Sequence, residues 1–172
     1  QLQAVEVDRT NLQALVRTFQ RPETYYLQNE TTYFYRDNQS VLKSRIWKSD
    51  SVMRISQLNN AEEQALQVLL TDQWVYLWTG ESGVARYERQ ARDVDLYGRT
   101  PTYEDLLKLS ADEILEGRLE ELEGQLCLYA KTQDKLTGEI EQWYILAENG
   151  LLLYADGSLD GQMTYQTYMT HM

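Results

Sequence analysis

Cysteine, histidine and proline are scarce in this sequence. It has one cysteine, Cys127, and one histidine, His171, among 172 residues. A single thiol excludes an internal disulfide, and one cysteine with one histidine falls short of the ligands that a structural zinc ion needs. Only two prolines occur, and no Pro/Gly-rich linker, low-complexity segment or fixed-period repeat interrupts the chain. We therefore predict one domain over residues 1–172.

Positive charge is also in short supply. The chain has 16 lysines and arginines against 27 aspartates and glutamates, which gives a net charge of −11. This balance repels polyanions, and no basic stripe offsets it, so we expect no nucleic-acid partner. The same net charge argues against docking of the whole domain on anionic lipid.

A long hydrophobic run is missing too. A membrane-spanning helix needs about 20 predominantly apolar residues in a row, and no transmembrane segment of that kind is present. The sequence begins at Gln1 rather than at methionine. We therefore expect a processed, extracytoplasmic form, anchored to a membrane through a removed N-terminal lipoprotein signal region.

Tyrosine, in contrast, is abundant, with 13 tyrosines against two phenylalanines. Tyr and Trp suit β-sheet faces that are half buried and half hydrated. Near the N-terminus, an apolar stripe at helical spacing is formed by Leu12, Leu15, Val16 and Phe19. This stripe predicts an N-terminal helix over residues 1–20, with Asp8 or Thr10 capping its start.

The following region, 25–97, has the pattern of short strands joined by short turns. Alternating residues, β-branched and aromatic side chains, and turn sequences such as "DNQS" mark the strands. The predicted strands cover 25–36, 41–48, 51–58, 64–71, 74–78 and 84–89. Of these, 64–71 also fits a helix, because "AEEQ" precedes it. The short connections favour an antiparallel meander.

The pattern changes after Gly98. Leucines at helical spacing, a Thr-Pro entry and a capping box of Ser110 and Glu113 predict a helical insertion over 102–116, as two short helices or one bent helix. Strands return over 119–170, where "ENG" between two apolar runs predicts a hairpin. The pattern as a whole predicts a mainly antiparallel sheet with a helix before it and a helical insertion in its middle.

Several of the predicted strands are apolar on both faces. Trp74, Tyr76 and Trp78 occupy alternate positions, opposite Val75 and Leu77. One face of such a sheet packs on the helices, and the other needs a cover of its own. Three interpretations stay open: half-exposed outer aromatic residues without a ligand, an apolar concave groove that binds a ligand, and a surface for a protein partner.

No catalytic motif stands out. His171 is the next-to-last residue of the sequence, where a chain is usually loosely held, so a histidine-activated nucleophile is not expected. Cys127 is interpreted as a structural thiol. The glutamates of 115–124 are interpreted as a solvated charged face, and "DGSLDG" at 156–161 as a hairpin turn. We expect no enzyme, cofactor or metal; an enzyme acting through paired carboxylates is the least favoured alternative.

Three segments carry a family resemblance: "SVLKSRIWKSDSVMRIS" at 40–56, "TDQWVYLWTGESGVARYER" at 71–89 and "IEQWYILAENGLLLYADG" at 140–157. In this order of strands and turns the sequence resembles the bacterial lipoprotein-carrier superfamily, the LolA/LolB-like proteins. The resemblance implies an α+β fold that is mainly antiparallel β. It implies a curved, incomplete β-barrel of about 10–11 strands wrapped around helices.

The resemblance also implies a function without catalysis. Family members hold lipid tails in an apolar concavity, or act as sensors and lipoproteins at the cell envelope. We therefore expect an extracytoplasmic lipoprotein-type domain that binds an apolar ligand or lipidated partner, such as a lipid or lipoprotein acyl chain, in the concave face of its sheet. The candidate lining residues are Tyr33, Tyr35, Trp47, Met53, Trp74, Tyr76 and Trp78. The alternative is an envelope sensor or regulatory module that contacts another envelope protein without a small ligand.

Overall fold

Strands dominate the structure, a computed structural model that describes residues 6–59, 61, 63–90 and 103–171. The helices are α1 Leu12–Thr18 and α2 Tyr103–Lys108. The strands are β1 Thr24–Tyr35, β2 Asn38–Ser49, β3 Val52–Leu58, β4 Gln64–Leu70, β5 Trp74–Trp78, β6 Ala85–Glu88, β7 Ile114–Leu122, β8 Gln125–Gln133, β9 Ile140–Leu146, β10 Leu152–Leu159 and β11 Gln162–His171. No helix among the described residues is long and apolar enough to cross a bilayer.

All eleven strands belong to one sheet, in the order β6-β5-β4-β3-β2-β1-β11-β10-β9-β8-β7. Successive strands from β1 to β6 and from β7 to β10 pair antiparallel. The strands β6 and β7 lie at the two ends of the order and do not pair with each other, so the sheet is not closed among the described residues. The predicted fold class, a mainly antiparallel α+β fold with an incomplete sheet closure, is confirmed. The predicted meander is confirmed as well, because β1 to β6 lie side by side in chain order.

The chain divides into two compact units. One unit comprises Pro22–Thr100 and Thr167–Met172, and we call it the meander unit because it contains β1 to β6. The other comprises Gln1–Arg21 and Pro101–Gln166, and we call it the helical unit because it contains α1 and α2.

The meander unit has a core face, which follows from the period of two along each strand. Directly paired positions on β1 to β4 are occupied by Leu27, Ile46, Ile55 and Val68. All four side chains are buried. Burying such side chains is the main favourable term in folding, so this row fixes which face of the sheet lies inside.

Three polar residues are buried on the same core face. The Oδ1 atom of Asn29 accepts hydrogen bonds from Thr167 Oγ1 at 2.8 Å and from Thr31 Oγ1 at 3.1 Å. The two hydroxyl oxygens lie 2.7 Å apart. Each of the three groups thereby finds a partner inside the protein, as buried polar groups require. The cluster links the end of β11 to β1 within the meander unit.

In the helical unit, α1 packs on β7 through a glycine. A Cβ atom added at Gly117 would lie 2.9 Å from the carbonyl oxygen of Asp8 and 3.1 Å from Leu12 Cδ1. Leu12 and Val16, which share one face of α1, are buried. Since no larger side chain fits between helix and strand, Gly117 sets how closely α1 approaches the sheet.

A side chain of α1 also caps α2. The Nε2 atom of Gln13 donates hydrogen bonds to the carbonyl oxygens of Leu106 and Leu109, at 3.0 and 2.8 Å. The last carbonyls of a helix have no partner within the helix. Gln13 donates to the Leu106 carbonyl in the last turn of α2 and to the Leu109 carbonyl just after it, and so joins the two short helices.

The N-terminal helix predicted over 1–20 is wrong in its bounds, because α1 begins only at Leu12. The Oδ1 atom of Asp8 accepts hydrogen bonds from the backbone N–H groups of Thr10 and Asn11. These bonds close a turn around Asp8 that competes with helix before Leu12. Residues 1–5 lie outside the described part of the chain.

The helical insertion predicted over 102–116 is only partly correct. The helix α2 occupies Tyr103–Lys108, and a single 3₁₀ turn follows at Ala111–Glu113. The carboxylate of Glu113 accepts a hydrogen bond from the Ser110 N–H at 2.8 Å, so the capping signal is present. Residues 114–116, however, open β7, where Ile114 pairs with Thr132. Pairing with β8 overrides the local helix signal.

Candidate functional site

The second face of the meander unit carries large rings and arginines. On β5 the rings of Trp74, Tyr76 and Trp78 share this face, as the spacing of two requires. Trp47 on β2 pairs with Tyr26 on β1, and both lie on the same face as the β5 rings. All five rings are half-buried. We call the surface formed by these five rings the aromatic face.

Ring contacts organise the aromatic face. The centroids of Tyr26 and Trp47 are 5.2 Å apart, with the ring planes tilted by 37°. The guanidinium of Arg54 lies 5.2 Å from the centroid of Trp47, and that of Arg86 lies 4.2 Å from the centroid of Trp74. A cation over an aromatic ring is attracted by the negative face of the ring. Each of these tryptophans thus holds an exposed arginine beside it.

Neutral polar residues position Arg54. Its Nη2 atom donates a hydrogen bond to Gln67 Oε1 at 3.2 Å, and Gln67 Nε2 donates to Ser56 Oγ at 2.8 Å. Gln67 and Ser56 are both buried. A buried amide that is itself held in place gives the guanidinium a defined position without neutralising its charge.

A cavity of ≈ 460 Å³ opens on this part of the sheet. Its lining consists of Thr24, Tyr25, Tyr26, Trp47, Lys48, Ser49, Val52 and Arg54. Two of these residues are cationic and none is anionic. The volume lies within the range of about 300–1,000 Å³ that is usual for small-molecule sites.

A second cavity of ≈ 390 Å³ lies along the same strands. Arg45 lines it together with Lys43, Glu30 and Tyr168. Lys43 forms an ion pair with Glu30, with a distance of 3.6 Å between Nζ and Oε2. The Nε atom of Arg45 is buried and has no hydrogen-bond partner among the described residues.

Comparison with known proteins shows the fold. No family model and no curated protein matches the sequence. An uncharacterised conserved protein from Thermus thermophilus is 10% identical over 95% of this chain and 86% of its own, with a TM-score of 0.50. A LolA superfamily protein from Nitrosomonas europaea is 8% identical over 98% of this chain and 92% of its own, with a TM-score of 0.41. At a TM-score of 0.50, the Thermus thermophilus protein shares its fold with this chain. Likeness at such identities describes the fold alone.

The sheet divides the seven predicted lining residues between its two faces. Four of them lie together on the aromatic face: Trp47, Trp74, Tyr76 and Trp78. The other three lie on the core-face side of their strands: Tyr33, Tyr35 and Met53. No single face of the sheet therefore carries all seven.

The three residues of the core-face side also differ in exposure. Tyr33 and Tyr35 lie near the tip of the β1–β2 hairpin and are 38% and 69% exposed. Met53 is half-buried, between its paired residues Lys48 and Leu70. Tyr33 and Tyr35 therefore lie far along β1 from Trp47, whereas Met53 lies next to Arg54 on the opposite face of the sheet.

Sequence reasoning missed Tyr26, Arg54 and Arg86 as members of the site. Each belongs to a strand that was predicted, but its neighbours come from other strands. Arg54 is paired with Trp47 across β2 and β3, and Arg86 with Tyr76 across β5 and β6. Only the register of pairing brings these side chains together, and alternation within one strand carries no information about register.

Other candidate residues have structural surroundings. Cys127 is buried on β8, and burial raises the pKa of its thiol, which disfavours the reactive thiolate. Arg118 forms ion pairs with Glu116 and Glu120 in the acidic run. The turn predicted over 156–161 is only partly correct, because β10 continues to Leu159 and the turn occupies Asp160 and Gly161 alone. The side chain of His171 lies outside the described part of the chain.

Proposed function

We propose that this chain is a non-enzymatic binding domain, acting outside the cytoplasm, that takes up an apolar chain of a lipid or of a lipidated partner on its aromatic face. The observation that carries the proposal is the cavity of ≈ 460 Å³ lined by Tyr26 and Trp47. The two rings already lie side by side, so they offer apolar surface to a ligand without a change of fold. The resemblance of the sequence to lipoprotein carriers supports the same class of ligand.

Native mass spectrometry of the protein purified from its own host, with lipid extraction alongside, tests this proposal. We expect a bound species that contains an acyl chain. Trp47→Glu is expected to release it, because a carboxylate placed among the rings of the cavity disfavours an apolar ligand. Tyr35→Glu is the control, since it also replaces an aromatic ring by a carboxylate, at an exposed position away from the cavity.

NMR checks that both variants keep their fold, through the indole N–H signal of Trp143. This residue is buried in the helical unit and donates a hydrogen bond to Thr132 Oγ1 at 3.3 Å. Retention of the ligand by Trp47→Glu, with the Trp143 signal unchanged, would contradict the proposed site. A bare polypeptide mass, with no uptake of fatty acid on titration, would contradict ligand binding altogether.

A second candidate function is supported by a different surface. Near the tip of the β1–β2 hairpin, Tyr33 and Tyr35 share one face of β1 and are both exposed. Exposed aromatic residues of this kind are enriched at protein interfaces. A protein-interaction module without a small ligand would use this tip, and Tyr35→Glu would then abolish partner binding while Trp47→Glu would not.

A further inference from the structure

Three arginines of the meander unit have no carboxylate partner among the described residues: Arg45, Arg54 and Arg86. This is unexpected in a chain with 27 acidic and 16 basic residues. Arg118 of the helical unit shows the alternative, because it contacts Glu116 and Glu120 at 2.8 Å each. Acidic residues are plentiful in the sequence, but few of them lie on the side of the sheet that carries these three arginines.

The three arginines share one side of the sheet. Arg54 pairs with Trp47, and Arg45 pairs with Ser56, two positions along β3 from Arg54. Arg86 reaches the same side from β6, where it pairs with Tyr76. Among the strand residues on this side of β1 to β6, two are glutamates, Glu30 on β1 and Glu88 on β6, and four are cations, Lys43, Arg45, Arg54 and Arg86. The surface is therefore locally positive although the chain carries a net charge of −11.

Each guanidinium retains hydrogen-bonding capacity. Arg54 uses Nη2 for Gln67 Oε1, which leaves further N–H groups of its planar fork. Arg86 stacks over Trp74, and Arg45 has a buried Nε atom without a partner. A guanidinium fork matches the oxygen atoms of a carboxylate or a phosphate.

We propose that the aromatic face binds an anionic amphiphile, with its carboxylate or phosphate headgroup on Arg54 and its single apolar chain on the rings of Tyr26 and Trp47. This inference rests on the proposed function and adds the charge and chemical class of the ligand. Arg54 is the central residue, because it lines the cavity that the two rings line. The cavity holds no anionic residue that would compete for the guanidinium.

Titration with a set of dodecyl compounds tests the headgroup. Dodecyl phosphate, dodecanoate and the uncharged dodecyl maltoside share the same chain length, and inorganic phosphate supplies a headgroup without a chain. All are kept below the concentration at which micelles form. Binding is followed by the change in the NMR chemical shifts of the tryptophan indole N–H groups. The buried Trp143 serves as the internal reference.

We expect at least one anionic dodecyl compound to bind about tenfold more tightly than dodecyl maltoside, as a charge-assisted hydrogen bond allows. The tighter of the two anions identifies the headgroup as phosphate or carboxylate. Arg54→Gln is expected to remove the preference, since it removes the charge and keeps a polar side chain. Arg118→Gln is the matched control, because Arg118 also stacks on a ring, that of Tyr129 at 4.0 Å, but is already ion-paired.

The outcomes separate this inference from the proposed function. Equal affinity for the charged and uncharged dodecyl compounds, unchanged by Arg54→Gln, would overturn the headgroup inference and leave apolar binding in place. Inorganic phosphate binding as tightly as dodecyl phosphate would overturn the amphiphile. The absence of any indole shift with all dodecyl compounds would contradict the proposed function itself, and this inference with it.

Discussion

Glu141 shows how a single buried charge affects this protein. It lies at the start of β9, and its carboxylate accepts a hydrogen bond from the hydroxyl of Tyr165. Burial raises the pKa of the Glu141 carboxyl, and the negative charges of Glu139, Asp105 and Asp134 raise it further, while the Tyr165 hydrogen bond lowers it. The balance is a pKa above the ordinary value of a glutamate.

This raised pKa predicts a loss of stability at higher pH. Because the folded state holds the Glu141 proton more tightly than the unfolded chain, the unfolding free energy falls as pH rises from the ordinary glutamate value through the folded pKa. Glu141→Gln removes this contribution, so its stability should fall less than that of the wild type between about pH 5 and about pH 8. Urea unfolding at both pH values measures the difference.

The control is Glu121→Gln, which makes the same change at an exposed residue of β7. It is expected to follow the wild type at both pH values. An identical pH response of Glu141→Gln and the wild type would show that burial of this carboxyl has no energetic consequence.

The sequence could not single out Glu141. The sequence concentrates its glutamates at 115–124, away from Glu141. The prediction of a solvated charged face for that run agrees with the ion pairs of Glu116 and Glu120. A carboxylate at the start of one strand is buried by residues from distant segments, here including Tyr165. Burial of this kind depends on tertiary structure and leaves no local pattern.

Among the elements, the strands were predicted well and the region around 111–116 was not. Alternation identified β1 to β6 because one face of that unit is buried and the other holds rings. The residues just before β7 carry the signature of a helix start, yet Ser110 and Glu113 cap only one 3₁₀ turn there. Packing against β8 and α1, which local sequence cannot show, decides the outcome there.

Gly117 connects β7 to α1, and this contact can be tested. Gly117→Ala should destabilise the protein by about 1–3 kcal/mol, the usual cost of overpacking. The new methyl group would meet the backbone oxygen of Asp8, which cannot move without shifting the start of α1. Urea unfolding measures the change in unfolding free energy.

Gly83→Ala is the matched control for that substitution. A Cβ atom at Gly83 has no neighbour within 4 Å, so the change should stay within about 0.5 kcal/mol. If the two alanine variants were equally stable, the close approach of α1 to β7 would not be a real constraint on the fold.

Across the whole molecule, net charge and local charge have opposite signs. The sequence gives a net charge of −11 and argues against anionic partners. The arginines Arg45, Arg54 and Arg86 nevertheless lie on one side of the meander unit, because strand register gathers them from three strands. Composition counts charges without positions, and for this reason the candidate anion site could not be predicted from it.

The net charge still has a consequence for stability. Repulsion among many carboxylates opposes the compact state, and salt screens charges separated by more than about 10 Å at 0.1 M ionic strength. Raising sodium chloride from about 20 mM to about 300 mM should therefore raise the thermal midpoint by roughly 2–4 °C, which corresponds to about 1 kcal/mol for a chain of this size.

A variant with less negative charge separates this repulsion from other effects of salt. Glu81→Lys together with Glu148→Lys changes two exposed residues, one in each unit, and moves the net charge from −11 to −11 + 4 = −7. Its midpoint should be less sensitive to salt than that of the wild type. If both midpoints rose equally, the salt effect would not come from self-repulsion. The excess of acidic residues would then carry no stability cost through self-repulsion.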